Sequence, residues 1–296
     1  FFTGLASGAT VCISQYYGSG DLRSVSHTTH TAVMFSFIGA IFMTIAGYFG
    51  SSCFLELCRV PEDIFEESLI YMQIFFLGLL GTFIYNMGAG ILRAIGDSKR
   101  PFYFLIVGCI LNIILDVIFL IPLKMGVAGA AYATVISQAV SALLILICLV
   151  RSEEPCKLEF SKLRMEGKYL GRMLRIGFPA GIQSVTYALS NIIIQTSIND
   201  FGTDVIAAWG TYGKMDGLFW MTISSFAIAL TTFVGQNYGA GKYDRVRKGI
   251  KDTMVMATIS TIAICSVLFI FAEFLFSLFT KDAAVIQIGA RMVHFL

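Results

Sequence analysis

Charged residues are scarce in this sequence, and that scarcity excludes an ordinary soluble domain. Only 14% of the 296 residues are charged and 56% are hydrophobic, and the mean hydropathy is +0.77, whereas a soluble domain carries about 25% charged residues. Such a chain cannot cover itself with polar surface, so we expect lipid to be its solvent. We therefore predict an all-α integral membrane protein.

Paired cysteines are also missing. The seven cysteines are scattered without a Cys-x-x-Cys pair, which argues against a disulfide framework or a zinc site. Cys109, Cys148 and Cys265 fall within apolar runs, where we expect them to be small buried hydrophobes.

A catalytic constellation is absent as well. A membrane-embedded enzyme would need a motif such as His-Glu-x-x-His, or a serine with a nearby base, and neither occurs in the sequence. His27 and His30 lie beside the first basic turn, and His294 lies near the last residue. We predict that the protein is not an enzyme.

Long apolar stretches dominate what is present. Those long enough to cross a bilayer, roughly 20 residues each, cover about 30–55, 68–92, 101–123, 127–150, 177–198, 205–236 and 253–279, with partial ones at 1–17 and 283–296. Because the chain opens on Phe1 without a methionine and closes inside an apolar pattern, we expect a fragment of a longer protein.

One connection between these stretches is long. From Arg151 to Arg175, leucines at 158, 163 and 170 lie among lysines and arginines, a pattern that predicts an amphipathic segment at the membrane surface. This segment, 151–175, is predicted to be a cytoplasmic linker between an amino-terminal lobe, 1–150, and a carboxy-terminal lobe, 176–296.

Basic residues alternate from one connection to the next. The turns around 21–23, 93–100, 151–175 and 242–251 hold 16 of the 21 lysines and arginines, and the intervening turns hold three. Short cytoplasmic loops carry the excess of basic residues, so the first set is predicted to be cytoplasmic. The net charge of +2 then reflects topology, and we expect no nucleic-acid partner.

An internal sequence repeat relates the two lobes. Gln15-Tyr-Tyr-Gly-Ser-Gly20 recurs as Gln236-Asn-Tyr-Gly-Ala-Gly241, and each copy ends an apolar stretch and begins a basic turn. Two copies on the same side indicate a parallel repeat about an axis along the membrane normal. The glycines predict tight turns and no phosphate site, because no strand precedes them and no Lys-Ser or Lys-Thr follows.

The stretch Pro101–Leu123 has one formal charge, Asp116, with Asn112 one helical turn before it. An ionised carboxylate in an apolar helix is costly unless it faces a partner, water or an ion. Thr134 returns to nearly the same depth, so the three side chains would offer a small cation hard oxygen ligands. The residues alone leave open a structural hydrogen bond, a protonated carboxyl, or a threonine bonded to its own helix.

Small residues four apart follow this stretch. Gly126 with Ala130, and Gly129 with Ala133, predict that two helices approach backbone to backbone here. We expect this packing to set the distance between Asp116 and Thr134.

Four motifs, in this order, resemble the multidrug and toxic compound extrusion transporters, and most of all their bacterial DinF-like branch. They are Gly90-Ile-Leu-Arg-Ala-Ile-Gly-Asp-Ser-Lys-Arg-Pro101, Leu111-Asn-Ile-Ile-Leu-Asp116, Gly126-Val-Ala-Gly-Ala-Ala131 and the paired Gln-x-Tyr-Gly-x-Gly turns. The resemblance covers essentially the whole chain. It implies a twelve-helix fold in two pseudo-symmetric lobes, of which this chain would lack the first helix, part of the second, and everything after the start of the tenth.

The resemblance also implies a function. Members of this family are antiporters that export organic, often cationic, compounds in exchange for protons or sodium ions by alternating access. Residues matching Asn112, Asp116 and Thr134 belong to their coupling-ion site, together with an aspartate on the first helix. We expect no cofactor beyond the coupling ion, small organic substrates, a monomer in the lipid bilayer, and a location in the bacterial inner or plasma membrane.

Other polar residues inside apolar stretches are candidates for the substrate cavity. Lys214 and Asp216 lie too deep for easy snorkelling, and either line a substrate path or form a structural ion pair. The remaining candidates are a stripe of Gln183, Asn191 and Gln195, for which polar packing between helices is the alternative, and the weaker pair Tyr85 and Asn86.

One departure from the family weakens an alternative coupling site. Many relatives in the NorM branch carry a glutamate several residues after a Phe-Pro pair, but no acidic residue lies between Pro179 and Asn199 here. Coupling would then rest on the amino-terminal lobe, on Asp216 or on residues beyond Leu296. A lipid-linked precursor flippase of the same wider superfamily is the alternative function, although it would need a strongly cationic cavity and only Lys214 is evident.

Overall fold

The computed structural model describes residues 2–57, 60–153, 155–199 and 201–295, and this part of the chain contains no β-strand. Its α-helices are α1 (Phe2–Gly18), α2 (Leu22–Leu57), α3 (Glu62–Leu77), α4 (Leu79–Ala94), α5 (Lys99–Leu120), α6 (Gly126–Arg151), α7 (Gly167–Asn199), α8 (Thr203–Gly239), α9 (Tyr243–Ile270), α10 (Ala272–Ser277) and α11 (Ala283–Phe295). A short 3-10 helix covers Phe160–Lys162. The prediction of an all-α fold is confirmed.

Most of the predicted membrane-crossing stretches coincide with helices of sufficient length and hydropathy. In the described part of the chain, α2, α5, α6, α8 and α9 each meet both requirements, and α3 with α4 meets them as a pair bent by 42°. The stretch predicted at 177–198 lies in α7. Its glutamines and asparagine lower the mean hydropathy, so α7 is not in this set.

The chain divides into two compact units, Phe1–Gly181 and Ile182–Leu296. The boundary lies inside α7, not in the 151–175 linker, because the first half of α7 packs closely on α1. Gly8 of α1 lies against the backbone of Met173 and Gly177, and Gly4 lies against that of Gly181. A Cβ at either α1 glycine would collide with α7, so this contact depends on two helices meeting backbone to backbone.

Helices α1, α2, α4 and α6 supply most of the core of unit 1, the first of these units. Its fully buried side chains include Ile13, Ile91, Leu92, Ile145 and Leu149. The linker adds Leu158, which is 1% exposed and whose N–H donates to Leu149 O at 3.0 Å. Leu158 therefore packs into the protein and does not face the membrane surface as predicted, because the core of unit 1 already provides an apolar site for it.

The outer faces of the long helices are exposed and apolar. Ile113 on α5 is 63% exposed, and Ile262 on α9 is 60% exposed. Cys109 and Cys265 are exposed too, so the prediction that they are buried is wrong. Lipid tails are as apolar as a protein core, so an apolar run by itself does not separate inward from outward positions.

The repeated turns have the same backbone structure. In the first copy, Asp21 N–H donates to Tyr16 O and Gly20 N–H donates to Tyr17 O; the second copy repeats both bonds 221 residues later, at Lys242 and Gly241. Gly20 and Gly241 have φ of 77° and 70°. This is the Schellman helix end, which places glycine in the left-handed conformation, so the predicted role of these glycines as turn residues is confirmed.

The first copy also attaches α1 to α7. Arg172 donates from Nη1 to Tyr16 Oη at 2.9 Å and from Nη2 to Gln15 Oε1 at 2.8 Å. Its guanidinium lies 4.7 Å from the centre of the Tyr16 ring. The glutamine and first tyrosine of the motif therefore hold two helices together.

In unit 2, the second of these units, α8 packs against α9 and α11, and α10 packs against α11. Phe276 of α10 is fully buried and its ring lies against Gly289 of α11. Gly249 of α9 contacts the ring of Phe233 on α8 in the same way. Large rings facing glycines bring these helices close together.

Candidate functional site

Asn112 and Asp116 lie four residues apart on α5 and therefore share one face of the helix. Both are half-buried, whereas Ile113 and Val117, which follow them in sequence, are 63% and 52% exposed. The polar pair therefore points into unit 1 while the apolar neighbours point outward.

Two atoms of this pair are buried without a hydrogen-bond partner among the described residues. They are Nδ2 of Asn112 and Oδ1 of Asp116. An unsatisfied buried acceptor costs roughly 1–3 kcal/mol, and more when it is charged. Such groups are rare in folded proteins, so this pair marks a place where a further polar group is needed.

Thr134 on α6 lies at the level of this pair. Along the α5–α6 contact, Gly108 meets Ser137 and Ser141, and Gly129 meets Phe119. Because the helices are antiparallel, interpolation between these contacts places Thr134 beside the turn from Asn112 to Asp116. Thr134 is half-buried, and its hydroxyl donates to Ala130 O at 3.0 Å. The bond to its own helix uses the hydroxyl hydrogen and leaves the oxygen lone pairs as acceptors.

The small residues on α6 have two different roles. A Cβ at Gly129 would lie 3.0 Å from Cβ of Phe119, so the predicted close approach is confirmed there. Gly126 has open space around its Cβ position and a φ of 56°. The prediction of close packing at Gly126 is therefore wrong, because this glycine provides the left-handed conformation that begins α6.

Asn86 and Tyr85 on α4 have separate surroundings. Asn86 lines a cavity of about 60 Å³ between α1, α2 and α4, together with Ser36 and Thr82. Its amide donates to Thr82 O at 2.8 Å. Tyr85 donates to Pro101 O at 2.9 Å and so joins α4 to the start of α5. A cavity of this size admits a few water molecules and no drug-sized compound.

Lys214 and Asp216 on α8 do not form an ion pair with each other: no contact within 4.0 Å joins them. Lys214 is exposed within this chain, with Nζ 5.4 Å from the centre of the Phe279 ring. Asp216 is half-buried and follows Tyr212 by one helical turn. The structural ion pair, one of two open interpretations, is therefore excluded.

Aromatic rings lie beside these residues in unit 2. Tyr187 on α7 meets Trp220 on α8 edge to face, with centroids 5.6 Å apart, and Trp209 stacks on Tyr212 at 5.5 Å. Tyr187 lies one turn from both Gln183 and Asn191, so the predicted polar stripe continues through it. Gln183, Asn191 and Gln195 are exposed within this chain.

Sequence reasoning missed several of these groups. Thr82, whose hydroxyl donates to Gln138, was detectable only as a polar residue four before Asn86. The four rings of the two aromatic contacts in unit 2 carry no distinctive signal in the sequence, since tyrosine and tryptophan are common in membrane helices. The contact of Tyr187 with Trp220 depends on how α7 and α8 pack.

Comparison with known proteins identifies the family. A sequence model of the MatE family matches residues 1–118 and 179–296. These two segments contain Asn112, Asp116, both Gln-x-Tyr-Gly-x-Gly turns and the predicted cavity residues of both lobes. One family model thus describes both halves of the chain.

Curated relatives match nearly the whole chain. The probable multidrug resistance protein YoeA of Bacillus subtilis (strain 168) is 29% identical over 302 residues, covering 99% of this chain and 65% of that protein. The FAD transporter of Shewanella oneidensis is 22% identical, covering 96% of this chain and 64% of that protein. The chain therefore spans less than two thirds of the length of these relatives.

A solved structure supports the same assignment at the level of the fold. The outward-facing structure of a multidrug resistance MATE family transporter of the MOP superfamily superposes with a TM-score of 0.93 at 23% identity, covering 100% of this chain and 66% of that one. The predicted transporter fold is confirmed.

MatE proteins are multi-pass transporters, so the prediction that the chain is not an enzyme is also confirmed. The bacterial relatives of this chain support the predicted location in the cell membrane. The family model matches more than half of the residues of this chain, and the chain therefore belongs to the MatE family.

Proposed function

We propose that this protein is a secondary active antiporter that exports small organic compounds in exchange for protons or sodium ions by alternating access. One observation carries the coupling part of the proposal. The carboxylate oxygen Oδ1 of Asp116 is buried and has no partner among the described residues, and Asp116 is the one charged residue between Pro101 and Leu120. A proton or a small cation would satisfy this oxygen.

The neighbouring side chains fit a cation as well as a proton. Asp116 offers a carboxylate, Thr134 offers oxygen lone pairs, and rotation of the Asn112 amide presents its carbonyl oxygen in place of Nδ2. Hard cations prefer such oxygen ligands. These three residues would hold the coupling ion, and the close approach at Gly129 would keep α5 and α6 at the required separation.

Coupling follows from competition between two ligands for two packings of the helices. Neutralising Asp116 would remove the penalty of the buried charge and favour the packing in which it is enclosed. Substrate would favour the other packing, so each ligand would weaken binding of the other by the same factor.

The aromatic groups of unit 2 support organic cations as substrates. The rings of Tyr187, Trp209 and Trp220 offer flat surfaces for stacking, and cations are attracted to the faces of such rings. Asp216 would add a negative charge one turn from Tyr212. A lipid-linked precursor flippase would instead need several cations here, and within the predicted cavity set only Lys214 is basic.

A transport assay in vesicles tests the proposal directly. The full-length protein would be reconstituted in proteoliposomes, and efflux of a fluorescent organic cation measured with a pH gradient and a sodium gradient imposed separately. Asp116→Asn should abolish gradient-driven efflux because it cannot bind and release a proton. Asp252→Asn, which removes an exposed carboxylate on α9, is the matched control and should transport normally.

Two results would contradict the proposal. Efflux that responds to neither gradient would exclude the antiporter, and efflux by Asp116→Asn that still follows the gradient would exclude this coupling site.

A further inference from the structure

A cavity of about 630 Å³ lies in unit 1 between the start of α2 and the linker that follows α6. Its walls include Arg23, Ser26 and His27 from α2, and Ser161, Lys162 and Arg164 from the linker. Pockets that hold small molecules span about 300–1,000 Å³, so this cavity has the size of a ligand site. It takes no part in the proposed coupling site.

The charged groups that line the cavity are hydrogen-bond donors. Arg23, Lys162 and Arg164 are cations without acceptor capacity, and two serine hydroxyls lie among them. None of the described residues that line the cavity is acidic. Such a lining is complementary to an anion with several acceptor oxygens.

Carboxylates outside the lining hold some of these groups in position. Glu166 Oε1 accepts from Nδ1 of His27 at 2.6 Å and from Nε of Arg164 at 2.9 Å, and Glu159 pairs with Lys162 at 2.9 Å. These contacts leave both Nη groups of Arg164 as donors. Arg23 forms no ion pair with any described residue.

The linker wall is fixed in place by backbone hydrogen bonds. Glu159 N–H donates to Nε2 of His30 at 3.1 Å, and Glu166 N–H donates to Oγ1 of Thr31 at 3.3 Å. The His27 ring stacks on Tyr169, with centroids 5.5 Å apart. The cavity is therefore preformed, which reduces the entropy lost when a ligand binds.

The position of the cavity points to phosphate chemistry. It lies at the end of α2 that is predicted to be cytoplasmic, where basic pockets beside membrane helices meet phospholipid headgroups. Phe160 and Met165, which flank the basic stretch of the linker, are 64% and 44% exposed. Arginine forks match phosphate oxygens in bidentate geometry, and the cavity contributes two arginines.

We propose that this cavity binds a phosphate-bearing anion through Arg23, Lys162 and Arg164. The phosphate belongs either to the headgroup of an anionic phospholipid or to a soluble phosphorylated molecule. Both would be recognised by the same donors, and the exposed apolar residues beside the linker add a contact for acyl chains in the first case.

Binding by the full-length protein in zwitterionic detergent would be measured with two probes. Inorganic pyrophosphate, titrated by calorimetry, reports a soluble anion, and phosphatidylglycerol, compared with phosphatidylcholine by native mass spectrometry, reports a lipid. The double variant Arg23→Gln/Lys162→Gln removes two exposed cations of the lining. Lys157→Gln/Lys168→Gln removes two exposed cations of the same segment that do not line the cavity, and is the matched control.

Arg23→Gln/Lys162→Gln should bind at least one probe about tenfold more weakly, because both substitutions remove charge-assisted hydrogen bonds to the phosphate. The control should change by less than about twofold, and the probe that responds identifies the source of the phosphate. Equal loss in both double variants would show general surface attraction and overturn the proposal. Failure of the wild-type protein to bind either probe saturably would also overturn it. Unchanged thermal unfolding of the unliganded variants would exclude misfolding as the cause.

Discussion

Asp116→Asn should make the protein more stable while it removes ion coupling. The carboxylate oxygen Oδ1 is buried without a partner among the described residues, so the ionised form is held at a cost to the folded state. Asparagine has nearly the same shape and carries no charge. Its amide N–H, a donor that the carboxylate lacks, can also bond to the carbonyl oxygen of Asn112, which lies one turn away on the same face.

The size of the effect follows from the burial of that oxygen. An unsatisfied buried acceptor costs roughly 1–3 kcal/mol, and more when charged, so the substitution should stabilise the protein by about that amount. Each kcal/mol raises the unfolding midpoint by about 2–4 °C in proteins of 150–250 residues. We therefore expect a rise of several degrees.

Thermal unfolding in detergent, in sodium-free buffer of mildly alkaline pH, measures this effect. These conditions remove the cation and keep protons scarce, so neither ligand masks the cost of the charge. Asp252→Asn on α9 is exposed and should leave the midpoint unchanged. Adding sodium should raise the wild-type midpoint and leave that of Asp116→Asn unchanged if the site holds sodium.

A midpoint that stays the same or falls in Asp116→Asn would refute this reasoning. It would mean that the carboxylate already has a compensating partner, and that the residue is structural.

Three further predictions concern packing, the repeat and the linker. Gly129→Leu should destabilise the protein by roughly 1–3 kcal/mol in thermal unfolding, because its side chain would collide with α5, whereas Gly171→Leu, with open space around its Cβ, should change little. Arg172→Gln should lower the free energy of unfolding by roughly 0.5–1.5 kcal/mol per lost hydrogen bond, or by less because these bonds are exposed. Arg175→Gln is the control, and an equal loss of stability in that variant would contradict the role of the first repeat copy in holding α7. Burial opposes ionisation of Glu166, but hydrogen bonds from the His27 imidazole and the Arg164 guanidinium lower its pKa below the ordinary value of 4.5. The stability that ionised Glu166 contributes is therefore complete above pH 4.5 and is lost as the pH falls through the pKa of the folded state. Unfolding of Glu166→Gln, followed by circular dichroism, should therefore depend less on acid pH.

Much of the candidate site was predictable because it depends on local spacing. Asn112 and Asp116 share a face at any four-residue separation in a helix, and the length of the turn at Lys124 determines the depth to which Thr134 returns. The role of Gly126 was not predictable, since a small residue before a helix suits close packing and a left-handed turn equally well. The contact made by Lys214 was not predictable either, since it depends on the packing that brings the Phe279 ring close to its ammonium group.

The amino-acid sequence by itself determined the membrane setting, the helices, the repeated glycine turns and the anomalous carboxylate at Asp116. Each of these follows from composition or from residues within two helical turns of one another. Tertiary structure decided which distant polar groups come together: Arg172 bonds to Gln15, His27 bonds to Glu166, and Arg23 and Lys162 line one cavity. The members of each pair are separated by more than 130 residues in the sequence. Hydrophobic periodicity does not identify the neighbouring helices, because a helix in lipid is apolar both on its packed face and on its lipid-facing side.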